Sequence, residues 1–552
     1  MTQDVSSAVI KEPMFHLKFP RAPLFWIALL LLFPLALELT YSDFVREGEY
    51  NSRIGWSFIL ATVAYLLPKR GVIAFLLLPF AIGGSLDIGY AVSFGGVFTT
   101  ATLEAVAYTD SSEASEFIAA YASIKLTLWL ILYWGLYGLG VYAMRPKEGA
   151  ASKTRRITMV LGFILMAVVA YRTTIMARYH DTIPGVLGSI PSYLHGSVSL
   201  QDEFQLRKTM LLDTKVTASI SKAGAQTHIF IIGESASRNH MGVYGYHRNT
   251  TPFLSSIERQ SVIFRNVISS HAQTQASLRA ALTATDASQG DKFREAFSVI
   301  DIANMAGYET WWISNQQPLR ATIASIAHQA DHAYYISNDF NGVEVNRYDT
   351  YMLKRISEAL ANPAEHKAIF IHMMGSHAQY KNRYPDEFDV FRDSKVKAYT
   401  AQPGSNVVDA INEYDNSILF TDFFLQQVFA LVKETQQDAL ATITYFSDHG
   451  EEVYQQANLK GHSPDNLTAN MFEIPFVFWS SDQQEIARYR EHQNSPFMLD
   501  SFYHYASKVM AIESDSVLPE SSLVDDHYQP PAVRMVYKTS YDTQLRTDQP
   551  TD

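Results

Sequence analysis

Three apolar runs in the second half of this chain end in groups that ligate metals or move protons. "THIFIIGES" closes on Glu234, "AIFIHMMGSH" carries His372 and His377, and "ATITYFSDHG" stops at the adjacent pair Asp448 and His449. Carboxylate oxygens with imidazole nitrogens form a donor set that suits zinc better than manganese. A nucleophile is expected close by. In "VISSHAQTQASLRAALTATD" the helical spacing of Ala276, Leu278, Ala281 and Leu282 places Thr274 just before a helix. There it can act as an N-cap, or meet an incoming phosphate beside the first backbone amides. A threonine hydroxyl is a weak nucleophile until a divalent ion helps remove its proton, and the same ion offsets the charge of a phosphate under attack. These residue types point to metal-dependent transfer through a phosphorylated threonine.

The elements that must position them follow from the pattern of apolar runs. From about residue 227, short continuous apolar runs, including "YETWWISNQ" and "IPFVFWSS", alternate with longer amphipathic stretches. That is the signature of an α/β domain with a mostly parallel sheet covered by helices on both faces. In such a sheet, ligands bind beyond the carboxyl ends of the strands, where Glu234, the two histidines and the Asp448–His449 pair all fall.

The first part of the chain has a different character. Segments running roughly from Leu24 to Thr40, Ile54 to Leu67, Val72 to Phe94, Ile124 to Met144 and Ile157 to Tyr171 read as membrane spans, the second being short for the purpose. Lys11, Lys18 and Arg21 precede the first; Lys69 and Arg70 fill one turn, and Arg145, Lys147, Lys153, Arg155 and Arg156 crowd another. Gly95 to Ser123 holds acids and no Lys or Arg, so the positive-inside rule puts the amino terminus in the cytoplasm and the soluble domain on the opposite side. The expected organisation is a transmembrane domain over 1–172, a connector with membrane-surface helices over 173–226, a catalytic domain over 227–520 and a loose polar tail over 521–552. The chain contains no cysteine, which excludes disulfides, thiolate metal sites and a cysteine nucleophile. A net charge of -12 argues against a nucleic-acid partner.

"IIGESASRNHMGVYGYHRNTTPFL", Thr274, "HMMGSHAQYKNRYP" and "YFSDHGEE", in that order behind the membrane segments, resemble the phosphoethanolamine transferases of Gram-negative bacteria, in the alkaline phosphatase and sulfatase superfamily. The resemblance implies a five-helix membrane domain carrying a periplasmic sulfatase-like domain, a monomer anchored in the inner membrane. It implies one tightly bound Zn2+ on Glu234, Thr274, Asp448 and His449, with Thr274 as the nucleophile. His372, His377 and His462, in "LKGHSPD", are then expected to hold substrate or a second zinc. Asn315, Gln316 and Arg320 of "WISNQQPLR", and Thr100 and Glu104 of "TTATLEA", match substrate-contacting positions. The donor would be phosphatidylethanolamine and the acceptor an envelope glycolipid, either lipopolysaccharide core or lipid A; the text after Glu234 is closer to the core or envelope-glycan branch. Added amines on an anionic surface would weaken the binding of cationic antimicrobial peptides. Rival readings are a phosphoglycerol transferase acting on periplasmic glucans and a non-catalytic zinc-binding envelope scaffold. A sulfatase activity is disfavoured because the Cys or Ser motif converted to formylglycine is missing.

Overall fold

The computed structural model describes residues 23–41, 47–66, 70–100, 121–143, 185–196, 200–213, 216–317, 322–336, 348–464 and 466–546, with single residues between 102 and 106 and between 157 and 171. The chain forms two compact units. The first comprises Met1–Thr40, Val45–Gly89 and Lys125–Pro191; the second comprises Tyr41–Phe44, Tyr90–Ile124 and Ser192–Asp552.

Helices α1 (Pro23–Tyr41), α2 (Glu47–Leu66), α3 (Arg70–Phe94) and α4 (Ile124–Ala143) lie over the first four expected spans. Among the described residues three helices are long and apolar enough to cross a membrane: Pro23–Tyr41, Gly71–Phe94 and Ile124–Ala143. Helix α2 begins in the polar stretch "EGEYNSR", which lowers its mean polarity match to lipid. Most of the fifth expected span, 157–171, lies outside the described residues. Among the described residues of the first unit, the buried charges Glu38, Arg53 and Asp87 all have partners, as an apolar environment requires. Arg53 donates to Glu38 at 3.0 Å. Asp87 accepts the backbone N–H groups of Gly185 and Val186, at 2.9 and 3.0 Å, capping the start of α5 (Gly185–Gly196).

In the second unit, α6 (Leu200–Asp213) precedes the sheet, and its buried Arg207 donates to Asp301 at 2.9 Å. The sheet has seven strands: β1 (Gln226–Gly233), β2 (Val262–Ile263), β3 (Glu309–Ser314), β4 (His332–Tyr335), β5 (His366–His372), β6 (Leu440–Ser447) and β7 (Phe476–Ser480), in the spatial order β2-β7-β6-β1-β5-β3-β4. Pairings from β6 through β1, β5 and β3 to β4 are all parallel, while β7 runs antiparallel to both its neighbours. The sheet is therefore mostly parallel, as its runs predict, with one reversed strand near an edge.

Strand β1 shows why these runs are continuous. Successive side chains alternate faces; Phe230 and Ile232 enter one buried cluster, Ile229 and Ile231 the other. Helices α7 (Thr274–Leu282), α8 (Val299–Ala306) and α11 (Phe502–Val509) pack on the first face, and α9 (Leu353–Leu360) and the long α10 (Ser405–Thr435) on the second. Local sequence fixes their ends. For α8, Ser298 and Asp301 form a reciprocal capping box, and Gly307 closes the helix at φ +97°.

The expected loose tail over 521–552 is corrected by the structure as far as residue 546. Leu523, Val524 and Tyr541 are buried in the domain, and Arg534 is fully buried. Arg534 pairs with Asp542, donates to the carbonyl of Asn266 at 2.9 Å and lies over the Tyr541 ring. A polar composition reads as solvated, but here the charges neutralise one another and form a strap over the core. Residues 547–552 lie outside the described residues.

Candidate active site

The carboxyl ends of β1 and β6 and the start of α7 bring four side chains together. Glu234 follows β1 and is 1% exposed, and Asp448 and His449 follow β6 and are fully buried. The Thr274 hydroxyl donates toward the two Glu234 oxygens at 3.3 and 3.2 Å and lies 3.3 Å from His449 Nε2. Thr274 is the first residue of α7 rather than its cap, a position taken by Gln273. Its hydroxyl faces the carboxylates instead of the helix's own amides.

Backbone donors orient each ligand group. Asp448 Oδ1 accepts from the N–H of His449 at 2.7 Å and of Ser235 at 3.1 Å. His449 Nδ1 lies 2.8 Å from the Gly450 carbonyl, so Nδ1 carries the proton and the Nε2 lone pair points into the cluster. There it meets Glu234 Oε1 and Asp448 Oδ2, each at 3.4 Å. Asp448 Oδ2 accepts no hydrogen bond from the described residues. Burial, reinforced by Asp448, pushes Glu234 up to about 7, and burial pushes Asp448 up to about 6. Burial also holds His449 down near 4. Electron pairs converging in a dry site repel, so the cluster favours a positive charge between them, either a proton, as the raised carboxyl values show, or a divalent cation. One ligand atom from each of Glu234, Asp448 and His449 lies within 4.8 Å of the others, and the same holds for His449, Glu451 and His462. The nitrogen and oxygen donor set fits zinc.

Gly450 must remain without a side chain for this arrangement. An added Cβ would lie 2.1 Å from the Asn470 carbonyl oxygen, while the Gly450 N–H donates to Met471 O at 2.9 Å. Gly450→Ala is expected to lower stability by about 3 kcal/mol or more, since backbone cannot step aside as a side chain can. Thermal melting of the variant beside the wild-type chain measures this.

The remaining predicted residues divide. His462 lies beside the cluster: its ring centroid is 4.2 Å from that of His449, and its Nδ1 is 2.7 Å from Glu451 Oε2. Burial opposes a charge on His462, but Glu451 outweighs it and raises its pKa. His377 is half-buried and lies close enough to His449 and His462 for them to add to desolvation and Arg383 in lowering its pKa. Its Nδ1 has no hydrogen-bond partner among the described residues. For His372 the expectation is corrected. It pairs in register with Ile232 and Ser314, its Nδ1 lies 3.2 Å from Ser314 Oγ, and its ring packs 5.5 Å from that of Trp312. Being the last residue of β5, it follows the strand's alternation onto the core face. Burial pushes it down to about 3, so it is a neutral core histidine.

Gln316 touches the site directly: its amide donates to Glu234 Oε2 and to Met373 O, both at 2.9 Å. Asn315 is buried and instead donates to Asp349 at 2.8 Å, and Asp349 accepts from the N–H groups of Met374 and Gly375. Asn315 therefore orders the turn before His377 rather than facing substrate. Thr100 is half-buried in the Tyr90–Ile124 segment of the second unit. Arg320 and Glu104 lie outside the described residues.

Sequence reasoning missed Glu451, whose signal was present in the second half of "SDHGEE". It also missed Tyr414 on α10, which is fully buried among the site's supporting groups. No local pattern marks that tyrosine, since its partners are about 180 positions away.

Residues 226–507 match the family model described as Sulfatase. Phosphoethanolamine transferase EptC of Escherichia coli O18:K1:H7 is 28% identical over 557 residues, covering 95% of this chain and 94% of that protein. The crystal structure of the C-terminal periplasmic domain of EptC from Escherichia coli, in complex with Zn, superimposes with a TM-score of 0.56 at 29% identity, covering 60% of this chain and 96% of that one. The integral membrane lipooligosaccharide phosphoethanolamine transferase EptA from Neisseria meningitidis shares the fold, with a TM-score of 0.64 at 19% identity over 91% of this chain and 98% of that one.

Proposed function

The chain belongs to the sulfatase family, and from that membership we propose that it is a zinc-dependent phosphoethanolamine transferase of the bacterial inner membrane with its catalytic domain in the periplasm. The observation that carries the reading is the Thr274 hydroxyl, set at 3.2 to 3.3 Å against Glu234 and His449 beside Asp448. Relatives named phosphoethanolamine transferases that align over nearly the whole chain supply the transferred group. Donor and acceptor are phosphatidylethanolamine and an envelope glycolipid, lipopolysaccharide core or lipid A.

Glu234, Asp448 and His449, together with the Thr274 oxygen, would hold zinc. When bound, the ion supplies positive charge that favours the threonine alkoxide and offsets charge on the phosphate. Thr274 Oγ forms a bond to phosphorus as the bond from phosphorus to the diacylglycerol oxygen breaks. The hydroxyl proton leaves on the Glu234 side and is relayed to the departing diacylglycerol oxygen, so this half of the reaction neither gains nor loses a proton. The acceptor hydroxyl or phosphate then displaces Thr274 from phosphorus, regenerating the free threonine. The buried floor of the site keeps Glu234, Asp448 and His449 out of bulk water, which strengthens their interactions with the reacting atoms. His377 and His462, both half-buried beside the cluster, are placed to meet the phosphate or its ammonium-bearing arm.

The test is mass spectrometry of lipopolysaccharide from cells with and without the chain. A gain of one phosphoethanolamine unit on core sugars or lipid A is expected, with matching loss of phosphatidylethanolamine. A gain of phosphoglycerol on glucans instead, or bound zinc with no lipid turnover, overturns the reading.

A further inference from the structure

Ser235, next to the Glu234 ligand, has φ +55°, in the left-handed region that a residue with a side chain enters at a cost. Such a conformation persists only where the surroundings impose it. Here the side chain of Tyr414, from the first third of α10, does so from the second face of the sheet. Its hydroxyl donates to the Ser235 carbonyl at 2.7 Å and accepts from the Ser237 N–H at 2.8 Å, closing a ring around Ser235 and Ala236. Both Tyr414 and Ser235 are fully buried, so no water replaces either bond.

The tyrosine is itself held. The His240 ring packs edge-on against it at 4.7 Å, and His240 Nδ1 lies 2.6 Å from Asp415. Tyr380 packs against it at 4.9 Å and donates its own hydroxyl to Glu451 Oε1 at 2.8 Å. The turn so clamped has two outputs into the cluster. Its Ser235 N–H donates to Asp448 Oδ1, and its Ser235 hydroxyl donates to Glu234 Oε1 at 2.8 Å.

We infer that Tyr414 is a positioning residue, acting through the left-handed Ser235 turn to hold Glu234 and Asp448 in the geometry that binds the metal and faces Thr274. The inference rests on the reading of Glu234 and Asp448 as zinc ligands. Tyr414 touches neither metal nor substrate. Its role gives Ser235, Ser237 and His240, which follow β1 and which the transfer chemistry alone leaves unused, a place in the site.

The experiment measures zinc affinity of the detergent-solubilised full chain by competition with a coloured chelator, alongside kcat and KM for phosphatidylethanolamine. Tyr414→Phe keeps the ring and removes both hydrogen bonds. It is expected to weaken zinc binding about tenfold and to lower kcat comparably at zinc concentrations that leave the site filled, with KM within about twofold of wild type, as for other groups that orient metal ligands. Ser235→Gly removes the cost of the left-handed turn, so the same Tyr414→Phe change made in that background is expected to alter zinc affinity by no more than about threefold. Phe424→Leu, buried on α10 about 15 Å further along, gives the baseline for loss of stability alone.

A melting temperature lowered as in Phe424→Leu, with zinc affinity and kcat unchanged, overturns the inference. So does a tenfold loss that is the same in both backgrounds. Where Tyr414→Phe fails to yield folded chain, the pair built on Ser235→Gly decides: similar affinities uphold the clamp and a tenfold difference overturns it. If the wild-type chain binds zinc but transfers no phosphoethanolamine, the proposed function fails while the affinity comparison still decides the role of Tyr414.

Discussion

Thr274→Ala is expected to reduce phosphoethanolamine transfer by about 10³-fold or more while leaving the domain folded and able to bind zinc, weakened by one ligand. Removal of a covalent nucleophile eliminates the pathway rather than slowing it, and what survives is the electrostatic and binding contribution of the remaining groups. Among the described residues two hydroxyls touch Glu234, that of Thr274 and that of Ser235. Ser235 is fully buried, whereas Thr274 is partly exposed, so of these two it is Thr274 that can meet a lipid phosphate. Thr274→Ser is accordingly expected to retain measurable turnover. Incubation with phosphatidylethanolamine labelled in the head group checks the mechanism, since the wild-type chain should carry the label on Thr274 before acceptor is added. Normal transfer by the alanine variant would remove Thr274 from the reaction.

Stripping the metal is expected to abolish transfer and to lower the melting temperature, both recovered by added zinc. Ligand binding to the folded state alone stabilises by about 2.7 kcal/mol at a free zinc concentration one hundred times the dissociation constant. The metal-free chain should also acquire a distinctive pH dependence. Glu234 at about 7 and Asp448 at about 6 in the folded chain both lie above their ordinary values of 4.5 and 3.8. A carboxyl raised by folding binds its proton more tightly in the folded state, so stability present at low pH is lost as pH rises, here across roughly pH 4 to 7. Zinc takes the place of those protons, and the slope should disappear in the loaded chain. Melting curves of stripped and reloaded protein between pH 4 and 8 measure it; parallel curves would mean that the cluster holds no metal.

The comparison of sequence with structure turns on range. Alternation and burial made β1, β5 and β6 legible, because a strand covered on both faces must be apolar throughout. The abrupt stop of each run marked Glu234 and the Asp448–His449 pair, and the start of a helical pattern marked Thr274. Those features depend on a few consecutive residues and on the general rule that ligands gather at the carboxyl ends of parallel strands.

Other assignments needed the packed chain. His372 and His377 stand five positions apart in one motif, yet one belongs to the core and the other to the site, because the last residue of β5 obeys the strand's alternation and the turn after it does not. The segment 521–546 looked solvated because composition cannot show that Arg534 meets Asp542 and the Asn266 carbonyl. Asn315 and Gln316 are neighbours with different partners, Asp349 and Glu234. The sequence by itself determined the class of fold, the apolar helices of the first unit and which carboxylates, imidazole and hydroxyl stand at the strand ends and helix start, all properties of short stretches. Only the tertiary structure decided which histidine faces the cluster and that Tyr414 clamps the turn beside Glu234, because hydrogen bonds between residues about 180 positions apart leave no trace in local pattern.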